Sequence, residues 1–166
     1  MLRRLQGRIF SRSVGKISME VRKSMDHNIE LLTEVYKNAD MERSVLGRLI
    51  RQCEDAEFRS LMAEQFTVYH SIMQATHEAL NLRGILVRDV ITWGKKMVFS
   101  SMSMHLRIDK TSSHMAEMLV RGNVMGLIDI TKALREAEDA DEAVLQLAER
   151  LRSAQRRHMD QLLRFV

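Results

Sequence analysis

Residues 25–51, MDHNIELLTEVYKNADMERSVLGRLIR, contain the pattern that decides the fold. Apolar side chains recur there every three or four positions, and because an α-helix advances about 100° per residue they fall on one face of a helix. The opposite face is charged, as in a helix that buries one side. The stripe consists of Met25, Ile29, Leu32, Tyr36, Ala39, Arg43, Leu46 and Ile50. The pattern predicts an amphipathic helix over about residues 20–51.

The rest of the chain repeats this pattern, and proline, which costs about 3 kcal/mol inside a helix, is absent from all 166 residues. Further stripes predict three more helices, over about residues 55–82, 93–138 and 142–165. Short joints near residues 52–56 and 139–141 make each pair of helices an antiparallel hairpin. Residues 83–92, which include Gly84, form a longer crossover. The sequence thus predicts an all-α, antiparallel four-helix bundle made of two helical hairpins.

The positive charge of the chain is concentrated at its N-terminus. The formal net charge is +4, but residues 1–24 hold seven basic residues and one acid, which leaves −2 for residues 25–166. We expect a single bundle domain over residues 25–166, preceded by a basic tail that is disordered or a mis-assigned start. The tail composition is also typical of a transit peptide, or of an adaptor that binds anionic lipid or nucleic acid. A basic nucleic-acid face on the bundle itself is not supported.

The sequence shows no constellation of catalytic residues. Cys53 is the single cysteine, which excludes an internal disulfide and suits a reducing cytosol. It lies at a helix joint with no histidine near it in sequence, so thiol catalysis is not favoured. No segment approaches the length and apolarity of a membrane span. We expect a soluble, cytoplasmic protein, and the balance favours a non-enzymatic one.

Polar residues on the apolar stripes are informative, because a buried polar side chain needs a partner. Four of them are Arg43, Gln65, Asp129 and Gln155. Counted from the joints at about 1.5 Å per residue, all four lie within about a turn of one level of the bundle. Tyr36, Gly122 and His158 lie near the next level. We predict a buried polar layer in which Asp129 pairs with Arg43 or His158 and the two glutamine amides satisfy the remainder.

Such a layer has two interpretations. In the first, the layer fixes the relative positions of the helices, because a bundle rich in Leu and Met could otherwise pack in several ways. In the second, it forms a small-ligand or metal pocket in which Asp129 and His158 hold the ligand. Gly122 and Gly126 each cost about 1 kcal/mol in a helix interior. We expect a compensating feature at these glycines, either close packing against a facing helix or open space beside Asp129. The alternative is a kink in the third helix at these glycines.

Residues 28–41 (NIELLTEVYKNADM) and 109–134 (DKTSSHMAEMLVRGNVMGLIDITKAL) resemble segments of uncharacterised bacterial ferritin-like bundle proteins. The resemblance covers roughly residues 26–166 and implies a fold of two helical hairpins. It also implies iron or manganese as a candidate cofactor, because metal-binding members of the fold supply Glu from two helices and Glu-x-x-His from the other two.

The ligand pattern of those metal-binding members is missing from this chain. No Glu is followed by His three positions later, and the reverse order occurs at His27–Glu30 and His114–Glu117. The helical wheel turns both pairs away from the apolar stripes. A metal site would therefore use Asp129 and His158, joined by His114 and Glu117 if the third helix is kinked.

We therefore expect a structural or interaction protein with a buried polar layer. An iron or manganese protein, an oxidase or a store, is the alternative. A second hydrophobic surface outside the stripes predicts a homodimer or higher homo-oligomer. This surface consists of Val45, Leu49, Phe66, Met73, Leu145 and Leu163.

Overall fold

The computed structural model describes the backbone of residues 2–87, 99–101, 104, 109–137 and 139–166, with side chains at residue 23 and, within these ranges, from residue 25 onward. This part of the chain is all-helical. Its long helices are α1 (Leu2–Leu49), α2 (Ala56–Asn81), α3 (Ser112–Glu136) and α4 (Glu142–Leu162), and a short 3-10 helix, Leu163–Phe165, follows. None of the described helices is both long and apolar enough to cross a membrane.

Three of the four predicted helices occur at the expected places, joined by short connections at residues 50–55 and 137–141. The structure continues α1 back to Leu2, so the basic segment predicted as a tail has a helical backbone. The division of the chain at residue 24 stays a prediction. The joint between α1 and α2 contains the buried Cys53, whose thiol donates a hydrogen bond to the carbonyl oxygen of Asp55.

The helix predicted over residues 93–138 is interrupted before α3: residues 99–101 and 104 are helical, whereas residues 93–98, 102–103 and 105–108 of the predicted helix lie outside the described part of the chain. Residues 109–111 are not helical, and α3 begins at Ser112 with Thr111 as its N-cap, whose side chain accepts a hydrogen bond from the His114 amide. The Asp109 carboxylate in turn accepts a hydrogen bond of 2.8 Å from the Thr111 amide. Such side-chain caps satisfy amide groups that have no partner in the first turn of a helix. Thr111, which lies inside the helix predicted over residues 93–138, is therefore an exposed cap.

The core lies between the four helices: α1 packs against α2, α3 and α4, and α4 packs against α2 and α3. Aliphatic and methionine side chains form most of it. Fully buried examples are Leu32 and Leu46 of α1, Met62 and Ile72 of α2, Met115 of α3 and Leu151 of α4. This arrangement holds the polar residues described below at fixed positions along the helices.

The second hydrophobic surface predicted from the sequence is not formed. Leu49 is fully buried, and four of the other five residues pack against the core, namely Val45, Phe66, Met73 and Leu145. Only Leu163 of that set is among the exposed large apolar side chains. The four helices bury more of each helix circumference than the single stripes suggested, which removes the basis for that surface.

Candidate binding cleft

Two hydrogen-bond networks, one mostly buried and one partly buried, join the helices. In the first, the Tyr69 hydroxyl of α2 donates to Asn123 Oδ1 of α3 at 2.7 Å, and Asn123 Nδ2 donates to the Leu119 carbonyl at 2.9 Å. The His158 ring of α4 stands edge-on to the Tyr69 ring with centroids 4.9 Å apart. Gln65 Nε2 donates to the His158 carbonyl at 3.4 Å and to Gln161 Oε1 at 3.2 Å. This network ties α2 to α3 and α4.

The second network lies where α1 meets α3. Asn38 Nδ2 of α1 donates to the Gly126 carbonyl of α3 at 2.9 Å, and Gln155 Nε2 of α4 donates to Asn38 Oδ1 at 2.8 Å. A Cβ at Gly126 would lie 2.5 Å from Asn38 Oδ1 and closer still to Gln155 Nε2. The missing side chain at Gly126 therefore gives these two amides their space.

The structure places the predicted polar layer only in part. Tyr36, Gln65, Gln155 and His158 are buried, and Gln65 lies beside His158. Gly126 is buried in close contact with its neighbours, whereas Gly122 is exposed. α3 is continuous across both glycines, so the helix does not break there.

The predicted role of Asp129 was wrong. Asp129 is exposed, while Arg43 forms an ion pair of 3.1 Å with Asp40 on its own helix and lies over the ring of Phe66. The sequence placed Asp129 on the inward apolar stripe of this helix. The buried face instead follows Met115, Ala116, Leu119, Asn123, Gly126 and Ile130. Asp129 therefore points away from both of its predicted partners.

Several functional candidates were missed, among them Asp40, Asn28, Asn123 and above all Glu42, which is 6% exposed. The spacing did contain a signal for Glu42. It follows Ala39 by three positions and precedes Leu46 by four, which places it on the same helix face as these two core residues. The charge of a glutamate hides this signal, because hydrophobic periodicity counts it as an outward residue.

A cleft of about 710 Å³ opens between α1 and α3, next to the contact at Gly126. Its walls are mainly apolar, formed by Met41, Val45, Met118, Leu119 and Met125. Glu42 lines it from α1 and Gly122 from α3. Among the residues that the structure describes, one atom outside the helix itself lies within 4 Å of a Cβ built at Gly122, namely Glu42 Oε1 at 3.7 Å. The missing side chain of Gly122 thus keeps the space in front of the Glu42 carboxyl open.

The electrostatics of this region keep its buried groups neutral. Burial raises the pKa of Glu42 to about 8, because the interior disfavours the charged form. Burial, and secondarily the nearby Glu42 charge, raises the pKa of the Tyr69 hydroxyl. Burial, followed by the nearby Arg157 charge, lowers the pKa of His158 to about 4. The carboxyl of Glu42 has no hydrogen bond or ion pair with another described residue.

The residues of the metal alternative do not fit an iron or manganese centre. Asp129 is exposed, Glu117 pairs with Arg121, and His158 packs against Tyr69. His114 lies in the first turn of α3. Within the ranges that the structure describes, no three His, Cys, Asp or Glu side chains are grouped so that they could hold a metal ion. A stable site needs several such ligands around one ion.

Comparison of the chain with models of protein families, with curated proteins and with solved structures finds no match. The resemblance to ferritin-like bundle proteins therefore stays a prediction. The cleft and its buried carboxyl are the features from which a function can be argued.

Proposed function

We propose that this is a non-enzymatic binding protein that holds an apolar ligand group in the cleft between α1 and α3. The observation that carries the proposal is the open space at Gly122, lined by methionines and closed on one side by the buried Glu42. Ligand sites of proteins are typically clefts of about 300–1,000 Å³ with apolar walls and a few polar groups. The cleft has this size and this composition.

The contrast between the two glycines of α3 supports a binding role. At Gly126 the facing side chains of Asn38 and Gln155 fill the space that a side chain would occupy. At Gly122, one turn earlier, no described side chain fills the corresponding space. Gly122 and Met125 are exposed, so the cleft is open to solvent. A ligand in the cleft would remove the apolar side chains of its walls from water, which favours binding.

We extend the proposal to the arrangement of the helices, as an antiparallel, ferritin-like bundle of two hairpins. Short connections join α1 to α2 and α3 to α4, which supports this arrangement. The ligand cleft then lies between one helix of each hairpin.

A substitution that fills the cleft with a larger side chain tests the binding proposal. We expect 1-octanol, followed by calorimetry, to bind wild-type protein saturably and to bind Gly122→Leu at least about tenfold more weakly, a loss of about 1.4 kcal/mol. Gly122→Ala is the matched control, because a methyl group removes the glycine from the helix but leaves most of the cleft open. Equal binding to all three proteins, or no saturable binding to wild type, would contradict the proposal.

A second candidate function is self-association through the outer face of α3. Val124, Met125 and Ile128 are adjacent on this helix and are 40%, 61% and 43% exposed. A two-fold dimer would bury this apolar patch against its own copy. Light scattering at micromolar concentration should then show a dimer that Val124→Glu converts to monomer, with Glu78→Gln on an exposed face of α2 as the control. A wild-type monomer would remove this candidate.

A further inference from the structure

We infer that the ligand held in the cleft carries an ammonium group on an apolar body, and that Glu42 is its counter-charge. The inference rests on the proposed function, since it names the chemistry of the molecule that the same cleft would bind. The inference names the polar group of the protein that would bind the ligand, in a site otherwise described only by its shape and apolar walls.

The position of Glu42 supplies the first argument. The side chain is more than nine-tenths buried, lines the cleft and has no hydrogen-bond or ion-pair partner among the described residues. The nearby Tyr69 hydroxyl already donates its hydrogen bond to Asn123 Oδ1, so it is not available to the carboxylate. A ligand that enters the cleft can supply the donor that the described residues do not. A primary ammonium is compact, has three N–H donors and carries the opposite charge.

The charges around the cleft supply the second argument. A neighbouring cavity shares Glu34, Lys37 and Asp129 with the cleft, so the two form a continuous groove along α1 and α3. The second cavity adds Glu30, Glu136 and Lys132. Of the cleft's two basic residues, Arg121 is already paired with Glu117. Among the described residues that line the groove, carboxylates thus outnumber unpaired basic groups, which favours the approach of a cation.

Binding of an ammonium would be coupled to release of a proton. In the free protein the raised pKa keeps Glu42 mostly protonated at pH 7. When the ammonium pairs with the carboxylate, the O–H bond of the Glu42 carboxyl breaks and the proton passes to the buffer, while the ammonium keeps all its hydrogens. On the facing helices, burial keeps Tyr69 neutral and holds the pKa of His158 near 4. The other charged groups of the cleft are Glu34, Lys37, Arg121 and Asp129.

Three probes with the same alkyl chain and different head groups test the inference: octylammonium, 1-octanol and octanoate, each titrated at pH 7. We expect wild-type protein to bind octylammonium at least about tenfold more tightly than 1-octanol, and to bind octanoate most weakly. Glu42→Gln should bind octylammonium and 1-octanol equally, whereas Glu34→Gln, at an exposed charge of the same groove, should keep the preference.

The proton provides a readout that needs no variant. Calorimetry in buffers of different ionisation enthalpy should show proton release when wild-type protein binds octylammonium, and none when it binds 1-octanol. Similar affinities for all three probes, or an octylammonium preference that survives in Glu42→Gln, would overturn the ammonium inference and leave the proposed function standing. No saturable binding of any probe would overturn the proposed function itself.

Discussion

At the scale of single residues, the fold keeps two buried side chains neutral by shifting their pKa values in opposite directions. Burial raises the pKa of Glu42 from 4.5 to about 8 and is the main cause that lowers the pKa of His158 from 6.5 to about 4. Both shifts have the same physical origin, since the interior disfavours whichever form is charged. The two shifts therefore change the free energy of unfolding with pH in opposite directions.

The two groups predict a specific dependence of stability on pH. Between about pH 4.5 and 6.5 the native state holds an extra proton on Glu42 and the unfolded state holds one on His158, so the two contributions cancel. From about pH 6.5 to 8 only the Glu42 difference remains. The native state then binds more protons than the unfolded state, so the free energy of unfolding should fall by about 1–2 kcal/mol across this window.

Urea unfolding of wild type and Glu42→Gln between pH 6 and 8.5 measures this effect. The variant has no carboxyl to ionise at position 42, so the decline above pH 6.5 should be absent from its curve. Glu34→Gln should follow wild type, because Glu34 is not fully buried. Parallel curves for wild type and Glu42→Gln would show that Glu42 is not held protonated by the fold.

Residue periodicity predicted some of the buried polar groups and missed others for a physical reason. Gln65, Gln155 and His158 were on predicted stripes and are buried. Asp129 was misplaced because the buried face of α3 passes through Asn123 and Ile130 instead. The burial of Glu42 was not predicted, because it depends on the neutral form of the side chain. The periodicity of residue types contains no information about protonation.

At the scale of helices, the two glycines of α3 have different roles, which substitution by alanine should separate. Gly126→Ala should lower the free energy of unfolding by about 1–3 kcal/mol, because the new methyl group displaces the hydrogen-bonded amides of Asn38 and Gln155. Gly122→Ala should instead raise it by up to about 1 kcal/mol, because alanine is the better helix former and no described side chain comes closer than 3.7 Å to the new Cβ.

Chemical denaturation of both alanine variants measures these changes, and each variant is the control for the other. Equal effects at the two positions would contradict the distinction between a filled contact at Gly126 and an open cleft at Gly122. The sequence marked both glycines as sites of close helix packing or open room. It could not assign one property to each, because that depends on which residues of α1 face them.

The ends of the helices were predictable where the cap residue stood out. Asp55 caps α2 by accepting a hydrogen bond from the Phe58 amide, close to the predicted start. The cap of α3 was overlooked, although Thr111 followed by two serines is a typical N-terminal signal. The uninterrupted apolar periodicity before Thr111 favoured a single long helix, and the local cap is what ends that pattern.

At the scale of the molecule, the sequence predicted an all-helical fold but not the cleft. Helix number and short connections follow from periodicity and from joints along the chain. The cleft depends on how closely α1 approaches α3, which is fixed by Asn38 at Gly126 and by the absence of a side chain at Gly122. Contacts between residues so distant in sequence are not encoded in any local pattern.

The most direct test of the cleft uses its own methionines. In protein labelled with ¹³C at the methionine methyl groups, Met41, Met118 and Met125 report on the cleft, while Met62 reports on the core and Met25 on an exposed part of α1. On titration with 1-octanol, the three cleft methyl resonances should shift saturably with one dissociation constant, and those of Met62 and Met25 should stay in place. Unmoved cleft resonances, or shifts spread equally over all five methyl groups, would contradict a binding site between α1 and α3.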